Sequence, residues 1–355
     1  MVQIVKMCNA FSSLGNEVEL TTTNRESGVS QSPEEYYGEE LNFTCRRVNV
    51  IDGVKLSQGK PQFIKHFLFF IQRFQFAQRV RTIGADVIYA RDPLLLWILS
   101  FKLSKDVQLI YESHEAHYNF FVRRLFSKGV KVVVISEGIR DFYIDKGESE
   151  TQMLVAHDGI DETFFEDRIS QTEARHNLGL SSEKKVAMYI GGFDAWKGVE
   201  TFFAASELNT EVLFVAIGGK QDEIDSYSKK YPKVKFLGPR SYHELRFHQQ
   251  AADVLVVPST AKNKLASHYT SPLKLFAHMA SGVPLLVSDV PSMRAVVDEE
   301  SATFFAADDS QALSEGLNSI IRDFVSARER SSMTLKLAHG YTWDERAKKI
   351  VSFLD

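Results

Sequence analysis

The chain has 355 residues, of which 44% are hydrophobic and 25% charged, a composition typical of folded globular proteins. This length favours two domains over one hydrophobic core. The net charge of -4 gives no reason to expect nucleic acid as a partner. The two cysteines, Cys8 and Cys45, are too few for a disulfide framework or a structural zinc site. We expect both to be buried, reduced thiols.

We expect neither a membrane-spanning helix nor an N-terminal signal peptide. No run of about 18 uncharged apolar residues occurs, and Lys6 and Asn9 interrupt any apolar signal core. A cytoplasmic protein is therefore expected. Residues 2–14 predict an amphipathic helix and residues 17–22 a strand. Because an open α/β domain normally begins with a strand and a glycine-rich turn, we expect that first strand to be missing from this chain.

Residues 61–81 form a basic, aromatic segment. They contain six phenylalanines, four Lys or Arg residues and no acidic residue. An amphipathic helix of this composition can lie on an anionic membrane surface. Packing in the core of the first domain explains the phenylalanines as well. We therefore expect a partly buried helix, with peripheral contact to the inner face of the membrane as the functional alternative.

Short apolar, β-branched runs recur along the chain, and amphipathic helical stretches separate most of them. Strands that are apolar on both faces and alternate with helices indicate parallel sheets covered on both sides. The expected fold class is α/β, with two doubly wound domains. The predicted strands are residues 87–90, 107–111, 130–135, 186–190, 212–217, 254–257 and 284–287.

A polar, acidic stretch at 161–169 follows the turn-like residues 157–159 and marks the predicted domain boundary. We place the first domain at 1–163 and the second at 164–341. Thr342 and Glu345 have the spacing of a capping box, so a final helix is predicted over 342–355.

The strongest local signal for chemistry is the segment 189–198, a strand followed by a glycine-containing loop and a helix. Gly191 and Gly192 form the loop, and Lys197 lies near the start of the helix. Free backbone N–H groups, the helix dipole and a lysine together favour a diphosphate. A similar turn, Gly218-Gly219-Lys220, follows the next strand, where an ordinary tight turn is an equal alternative.

A second anion site is predicted over residues 267–284. Ser271 fits the cap of a helix, Pro272 its first turn and Gly282 its end. Lys274 then lies at a helix N-terminus beside the strand ends, where open parallel sheets bind ligands. The alternative for Lys274 is an ordinary solvated lysine on a helix.

Polar residues also follow two strands of the first half. Arg91 and Asp92 come directly after the strand 87–90, and they either contact an acceptor or form internal ion pairs. Glu112 and His114 end the next strand, and His114 is a candidate hydrogen-bond donor or acid/base group. Its alternative is a loop histidine satisfied by Glu112 or Glu115.

In the second half, Asp308 and Asp309 follow a strand-like run at 302–306. We interpret this pair as an acidic turn, and no metal site is predicted.

Jointly, these motifs resemble family-four retaining glycosyltransferases of the GT-B fold, the glycosyl transferases group 1, over essentially the whole chain. The resemblance implies two Rossmann-like domains that face each other across a cleft, with the donor on the second and the acceptor mainly on the first. It also implies a last helix that crosses back to the first domain. The motifs are the Gly-x-x-x-x-Trp-Lys-Gly segment 191–198, residues 234–238, 252–258, 271–274 and 279–284, together with 135–137, 157–161 and the helix at Trp343.

The resemblance also implies roles for individual residues. Lys197 and Lys274 would neutralise the departing donor diphosphate, so neither a metal nor a cofactor is expected. His114 would contact the transferred sugar near its reacting carbon, and Arg91, Asp92 and Glu112 would lie on the acceptor side. The remaining donor-binding residues would be Gly191, Gly192, Gly218, Gly238, Arg240, Ser271, Pro272, Leu273 and His278.

Three positions depart from the family pattern. Tyr269 and Ala277 stand where the family has two glutamates, and Gly192 stands where it usually has an arginine. Ala277 cannot accept the hydrogen bonds of the ribose hydroxyls, a loss of about 1–3 kcal/mol. The adjacent His278 is the nearby polar candidate to replace it, although it points from a different face of the helix.

The predicted function is a retaining glycosyltransferase that moves a sugar from a nucleotide-sugar donor to a glycan or lipid-linked acceptor in cell-surface polysaccharide synthesis. The main alternative is a catalytically degenerate homologue that binds nucleotide or glycan as a partner subunit. A nucleotide-sugar epimerase is a further alternative.

Overall fold

The computed structural model describes residues 2–24, 40–166 and 168–354. The chain divides into two compact units. The first comprises Met1–Ile135, Ile139–Ala156 and Trp343–Asp355, and the second comprises Ser136–Gly138 and His157–Thr342. The division thus falls a few residues before the predicted limit at 163, and the last helix groups with the first unit.

The first unit alternates strands and helices, as its apolar runs predict. A parallel pair, β1 with β2, and a parallel four-stranded sheet of order β3-β4-β5-β6 form its strands. The elements are α1 Val2–Ser13, β1 Glu19–Thr23, β2 Thr44–Val48, α2 Gly53–Ser57, α3 Gln62–Val80, β3 Val87–Ala90, α4 Pro93–Leu99, β4 Gln108–Ser113, α5 Phe120–Ser127, β5 Lys131–Val134, α6 Glu137–Ile144, β6 Met153–Val155 and α15 Trp343–Leu354.

Helices α1 and α15 share the core of the first unit with strands β4 and β5. Met7 and Ala10 of α1 pack in one apolar cluster with Ile110, Val133 and Ala347. Most predicted strands of this unit are confirmed to within one or two residues, since apolar runs in a covered parallel sheet have few other places to be buried.

The second unit is a six-stranded parallel sheet of order β12-β11-β10-β7-β8-β9. This is the doubly wound order, in which the connections leave β7 and β10 toward opposite edges. The elements are α7 Gln171–Asn177, β7 Lys185–Ile190, α8 Val199–Leu208, β8 Val212–Ile217, α9 Gln221–Lys230, β9 Val234–Phe236, α10 Leu245–His248, β10 Val254–Val257, α11 Leu273–Met279, β11 Leu285–Asp289, α12 Pro291–Arg294, β12 Thr303–Ala306, α13 Ser310–Arg322 and α14 Phe324–Ala338.

Helices cover both faces of this sheet. Along β7, Met188 packs into a cluster that contains Phe276 of α11, whereas Tyr189 packs into the opposite cluster with Phe202 and Phe203 of α8. Alternate side chains of one strand thus enter different cores, and the prediction of a sheet covered on both sides is confirmed.

Two further expectations concern exposure. Both cysteines are free, but Cys45 is exposed and Cys8 half-buried, so the expectation of two buried thiols is wrong for Cys45. On α3, Phe69 and Phe76 are half-buried while Phe63 and other phenylalanines are exposed, which confirms partial burial of this helix. None of the described helices combines the length and apolarity needed to cross a membrane.

Candidate functional site

Three glycine-containing turns meet at the carboxyl edge of the second sheet, after β7, β8 and β9. The N–H of Gly191 donates to Ile217 O at 2.9 Å, and that of Gly218 donates to Gly238 O at 2.9 Å. Gly218 has φ +121°, and a Cβ there would lie 2.1 Å from Gly191 O. Only glycine fits so close a backbone contact. Packing therefore accounts for Gly218 independently of any ligand.

The loop after β7 takes the predicted strand–loop–helix form. The Tyr189 hydroxyl donates to Gly192 O at 2.7 Å, and residues 195–197 form a single 3₁₀ turn that carries Lys197. Gly198 then adopts φ +67°, and a Cβ there would approach the backbone carbonyl carbon of Ser259 to 2.7 Å. The loop is thus held between strands at both ends, and α8 begins directly after it.

Lys197 forms an ion pair with Asp194 that was not predicted. Its Nζ lies 2.7 Å from Asp194 Oδ2, and the lysine side chain is only 24% exposed. The hydrogen bond and charge of Lys197 lower the pKa of Asp194. Asp194 therefore occupies the lysine in the ligand-free protein, and an incoming anion would have to displace it.

Lys274 is not a solvated helix lysine. The residue as a whole is half-buried, but its Nζ is buried and finds no hydrogen-bond partner among the described residues. The nitrogen lies 4.9 Å from the centre of the Tyr189 ring. Burial, reinforced by the positive charge of Lys197 and opposed by Asp194, lowers the pKa of Lys274 to about 7. A buried, unpaired ammonium is unfavourable unless an anion completes the site.

His278 lies one helical turn after Lys274 on α11 and is buried. Burial and the charge of Lys274 lower the pKa of His278 to about 3, so its ring is neutral. Gln249 Nε2 donates to His278 Nδ1 at 3.1 Å. The other polar atoms of the pair, His278 Nε2 and Gln249 Oε1, have no hydrogen-bond partner within the part of the chain that the structure describes. Ala277 packs against the apolar core of α11 and supplies no polar group.

The predicted cap of α11 is wrong. The helix begins at Leu273, and the residue before it, Pro272, provides no side-chain cap. Ser271 is buried, and its Oγ instead accepts the N–H of Asp158 at 2.8 Å. The hydroxyl therefore fixes another loop of the same unit. Leu273 and Arg240, two other candidate donor-binding residues, are exposed.

In the first unit, Glu112 is the centre of a charged cluster at the end of β4. Its carboxylate accepts from His114 Nε2 at 2.9 Å, from Arg91 Nε at 3.2 Å and from Arg346 of α15 at 2.7 Å. Burial opposes ionisation of Glu112, but Arg346, His114 and Arg91 outweigh it and lower its pKa. His114 therefore donates through Nε2, which leaves Nδ1 as its second hydrogen-bonding atom.

Asp92 serves the local structure of the first unit. One carboxylate oxygen accepts from Leu95 N at 3.0 Å and caps α4, and the other pairs with Arg73 Nε at 2.5 Å. Arg91 pairs with Glu112 in the same way. Both Arg91 and Asp92 thus form internal ion pairs, which was the alternative to contact with an acceptor.

Asp308 and Asp309 are likewise structural. Asp308 accepts from Thr260 and Ala261 at 3.0 Å, and Asp309 caps α13. The interpretation of this pair as an acidic turn is confirmed.

The topology explains why the two lysines meet. Strands β7 and β10 are neighbours at the point where the strand order reverses, and the connections after them diverge to form a crevice. Lys197 follows β7 and Lys274 follows β10. The sequence predicted both lysines as anion ligands. Tyr189 and Gln249 were missed because their contacts with Lys274 and His278 depend on tertiary neighbours, whereas the spacing of Asp194 three residues before Lys197 was a local signal that was overlooked.

Solved structures that resemble the chain define its class. A glycosyltransferase from Rickettsia africae superposes with a TM-score of 0.75 at 10% identity, covering 99% of this chain and 92% of that one. Anabaena HepE in complex with UDP and glucose superposes with a TM-score of 0.71 at 17% identity, covering 99% and 95%. The chain has the GT-B glycosyltransferase fold, with two Rossmann-like units.

Sequence comparison finds a family match in part of the chain. Residues 184–323 match the model of the glycosyl transferases group 1. A D-inositol 3-phosphate glycosyltransferase of Corynebacterium diphtheriae is 26% identical over 198 residues, which are 51% of this chain and 44% of that protein. The chain spans about half the length of the curated relatives it matches. The family match thus lies within the second unit.

Proposed function

We propose that the protein is a retaining glycosyltransferase that transfers a sugar from a nucleotide-sugar donor to a glycan or lipid-linked acceptor in cell-surface polysaccharide synthesis. The observation that carries the proposal is the buried, unpaired ammonium of Lys274 beside Lys197 at the switch point of the second sheet. Two positive charges in that crevice suit a diphosphate. HepE, which shares the fold, binds UDP and glucose.

In the proposed reaction the bond between the anomeric carbon and the diphosphate oxygen breaks, and its electron pair leaves with the diphosphate. The acceptor oxygen bonds to the same face of the anomeric carbon, and its proton passes to the departing phosphate. Lys197 and Lys274 stabilise the charge that develops on that phosphate. Because they supply this charge, the proposed reaction needs no metal ion.

The turns at Gly191, Gly218 and Gly238 would bring backbone close to the donor. His114, oriented by Glu112, would contact the sugar through Nδ1. The acceptor would bind on the first unit, with peripheral membrane contact through residues 61–81 at the inner, cytoplasmic face.

Incubation of the protein with radiolabelled nucleotide sugars and with glycan or membrane-lipid acceptors tests the activity. Transfer that persists in EDTA, with the donor's anomeric configuration kept in the product by NMR, is the expected result. No transfer and no donor hydrolysis across the panel would refute it. Conversion of donor to an epimer without acceptor would identify an epimerase instead.

One observation favours a second candidate, a non-catalytic subunit that binds nucleotide or glycan. Ala277 lies against the apolar core of α11, and the family's ribose-binding carboxylate is absent there. Calorimetry with UDP separates the two functions. Binding that Lys197→Ala abolishes, without turnover of any donor, would favour the binding subunit.

A further inference from the structure

Helix α3 exposes a stripe of phenylalanines. Phe63, Phe67, Phe70 and Phe74 follow one another at spacings of four, three and four, which place them on one face of the helix. Their exposed fractions are 72%, 63%, 41% and 41%. The opposite face carries Phe69 and Phe76, which are half-buried, and Phe76 packs against the apolar core that α3 shares with α4. Exposed apolar residues in such a row mark an interaction surface.

The aromatic surface continues beyond α3. Lys102 Nζ lies 4.6 Å from the centre of the Phe74 ring, and the adjacent Phe101 is 64% exposed. Lys128 Nζ in turn lies 3.9 Å from the centre of the Phe101 ring. Cations on ring faces hold these aromatic side chains in place at the surface.

Helix α5 completes this surface. The Trp97 ring contacts Phe101 with centroids 5.2 Å apart and Phe120 with centroids 5.9 Å apart. Phe120 is exposed, and Arg124 lies over its ring. We call the six exposed rings the phenylalanine surface. Its members are Phe63, Phe67, Phe70, Phe74, Phe101 and Phe120.

Two segments that carry most of the phenylalanine surface contain basic but no acidic residues, although Asp92 from outside them pairs with Arg73 of α3. Between Asp52 and Asp86 the sequence has six Lys or Arg residues and no acidic residue, and between Glu115 and Glu137 it has four and none. The chain as a whole carries a net charge of -4. These two segments are therefore locally basic in a chain that is acidic overall.

We propose that the phenylalanine surface docks the protein on an anionic lipid bilayer. The basic residues near this surface favour an anionic bilayer over a second copy of the chain. A second copy of this chain would place like charges against each other, whereas anionic headgroups complement the basic residues and the interface accepts the phenylalanine rings. The proposal extends the contact from residues 61–81 to Phe101, Phe120 and their cations. It rests on the proposed function in one respect, since a lipid-linked acceptor would be met at that bilayer.

Flotation of the full chain with vesicles tests the proposal. We expect binding to vesicles of phosphatidylcholine mixed with phosphatidylglycerol, little binding to phosphatidylcholine alone, and weaker binding at high salt. The triple variant Phe63→Ser, Phe67→Ser, Phe70→Ser should lose about tenfold or more in partitioning. Replacing Lys102 and Lys128 by Gln should weaken binding about fivefold for each charge removed.

Matched controls use exposed residues of the second unit. Val325→Ser and Lys336→Gln, both on α14, should float as the parent does. Circular dichroism confirms that each variant is folded. Calorimetry with UDP in the absence of vesicles tests the proposed function separately. Membrane docking and donor binding can therefore each fail without the other.

Three outcomes would overturn the proposal. The first is equal binding to neutral and anionic vesicles, and the second is a triple phenylalanine variant that floats like the parent. The third is a parent that is a dimer in solution and does not float, with a monomeric triple variant, since the surface would then join two copies of the chain.

Discussion

Replacing Lys274 with methionine separates a ligand-binding lysine from a structural one, because the two roles predict opposite changes in stability. Burial and the charge of Lys197 lower the pKa of Lys274 to about 7, against about 10.4 for lysine in an unfolded chain. Between these pH values the unfolded chain binds more protons, so Lys274 destabilises the ligand-free fold below pH 7 and this effect fades as pH rises to about 10. Lys274→Met should therefore raise the free energy of unfolding at pH 7 by about 1–3 kcal/mol.

Binding of a nucleoside diphosphate should change in the opposite direction. The diphosphate pairs with the ammonium and raises its pKa, so the protein takes up a proton on binding above pH 7. The affinity of the parent should fall about tenfold for each pH unit above 7, a range in which a terminal phosphate with pKa about 6 is already ionised. His278, with its pKa lowered to about 3, does not titrate there. In Lys274→Met we expect about 10- to 150-fold weaker binding at neutral pH and little dependence on pH.

Isothermal calorimetry with UDP from about pH 6.5 to 9, in buffers of different ionisation enthalpy, measures both the affinity and the proton uptake. Urea unfolding of the ligand-free protein measures stability. Lys336→Met, which changes an exposed lysine, should leave both unchanged. A ligand-binding role for Lys274 is refuted if Lys274→Met lowers stability while UDP affinity and its pH dependence remain those of the parent.

Three further changes test individual contacts. Asp194→Asn should tighten UDP binding about two- to tenfold by calorimetry, because it frees the lysine with which Asp194 pairs. Glu112→Gln should lower the free energy of unfolding in urea by about 3–5 kcal/mol, since the buried Arg346 loses its charged partner. The control Glu345→Gln breaks a surface ion pair and should lower it by less than about 1 kcal/mol. Equal losses in the two variants would contradict the role of burial. Gly198→Ala should lower the free energy of unfolding by more than about 1 kcal/mol, and with it the melting temperature, because Gly198 has φ +67° and a close backbone neighbour. In the control Gly340→Ala the added Cβ meets no atom within 4 Å, so the melting temperature should change little.

Local sequence determines much of this fold. The strand β8 lies at residues 212–217, as predicted. Six consecutive apolar or β-branched residues are buried on both faces when their strand lies inside a covered parallel sheet. Strand ends were less predictable. The run at 107–111 becomes Gln108–Ser113, since hydrogen bonding to neighbouring strands extends β4 into polar residues that carry no apolar signal.

Helix caps show a second limit of local sequence. Ser271 before Pro272 has the pattern of an N-cap, yet its hydroxyl accepts from Asp158, which lies far away in the sequence. As an N-cap the hydroxyl would accept an N–H of the first helical turn, but the tertiary N–H of Asp158 takes that place. Thr342 and Glu345 were predicted as a capping box by the same reasoning. There the helix does begin at Trp343, and the box itself stays a prediction.

The pairing of charges was the least predictable part of the site. Arg346 lies on the last helix, more than two hundred residues after Glu112, and no local pattern links them. By contrast, Arg91 and Glu112 end neighbouring strands of a parallel sheet, so their meeting could be foreseen. The sequence therefore locates polar groups at strand ends, while their partners depend on which elements pack above them.

Three buried polar atoms on and beside α11 indicate a ligand. Lys274 Nζ, His278 Nε2 and Gln249 Oε1 are all buried, and none has a hydrogen-bond partner in residues 2–24, 40–166 and 168–354. Lys274 and His278 are four residues apart on α11 and so lie on the same side of the helix, and Gln249 is bonded to the histidine ring. Folding alone does not favour such a row, because each unpaired buried group costs about 1–3 kcal/mol. Lys274, the cationic end of this row, fits a phosphate. The neutral end offers His278 Nε2 as a donor and Gln249 Oε1 as an acceptor to a hydroxyl or to water. If UDP satisfies Lys274 alone, His278→Ala should leave its affinity within about twofold of the parent; a larger loss would place the neutral end in the donor site as well.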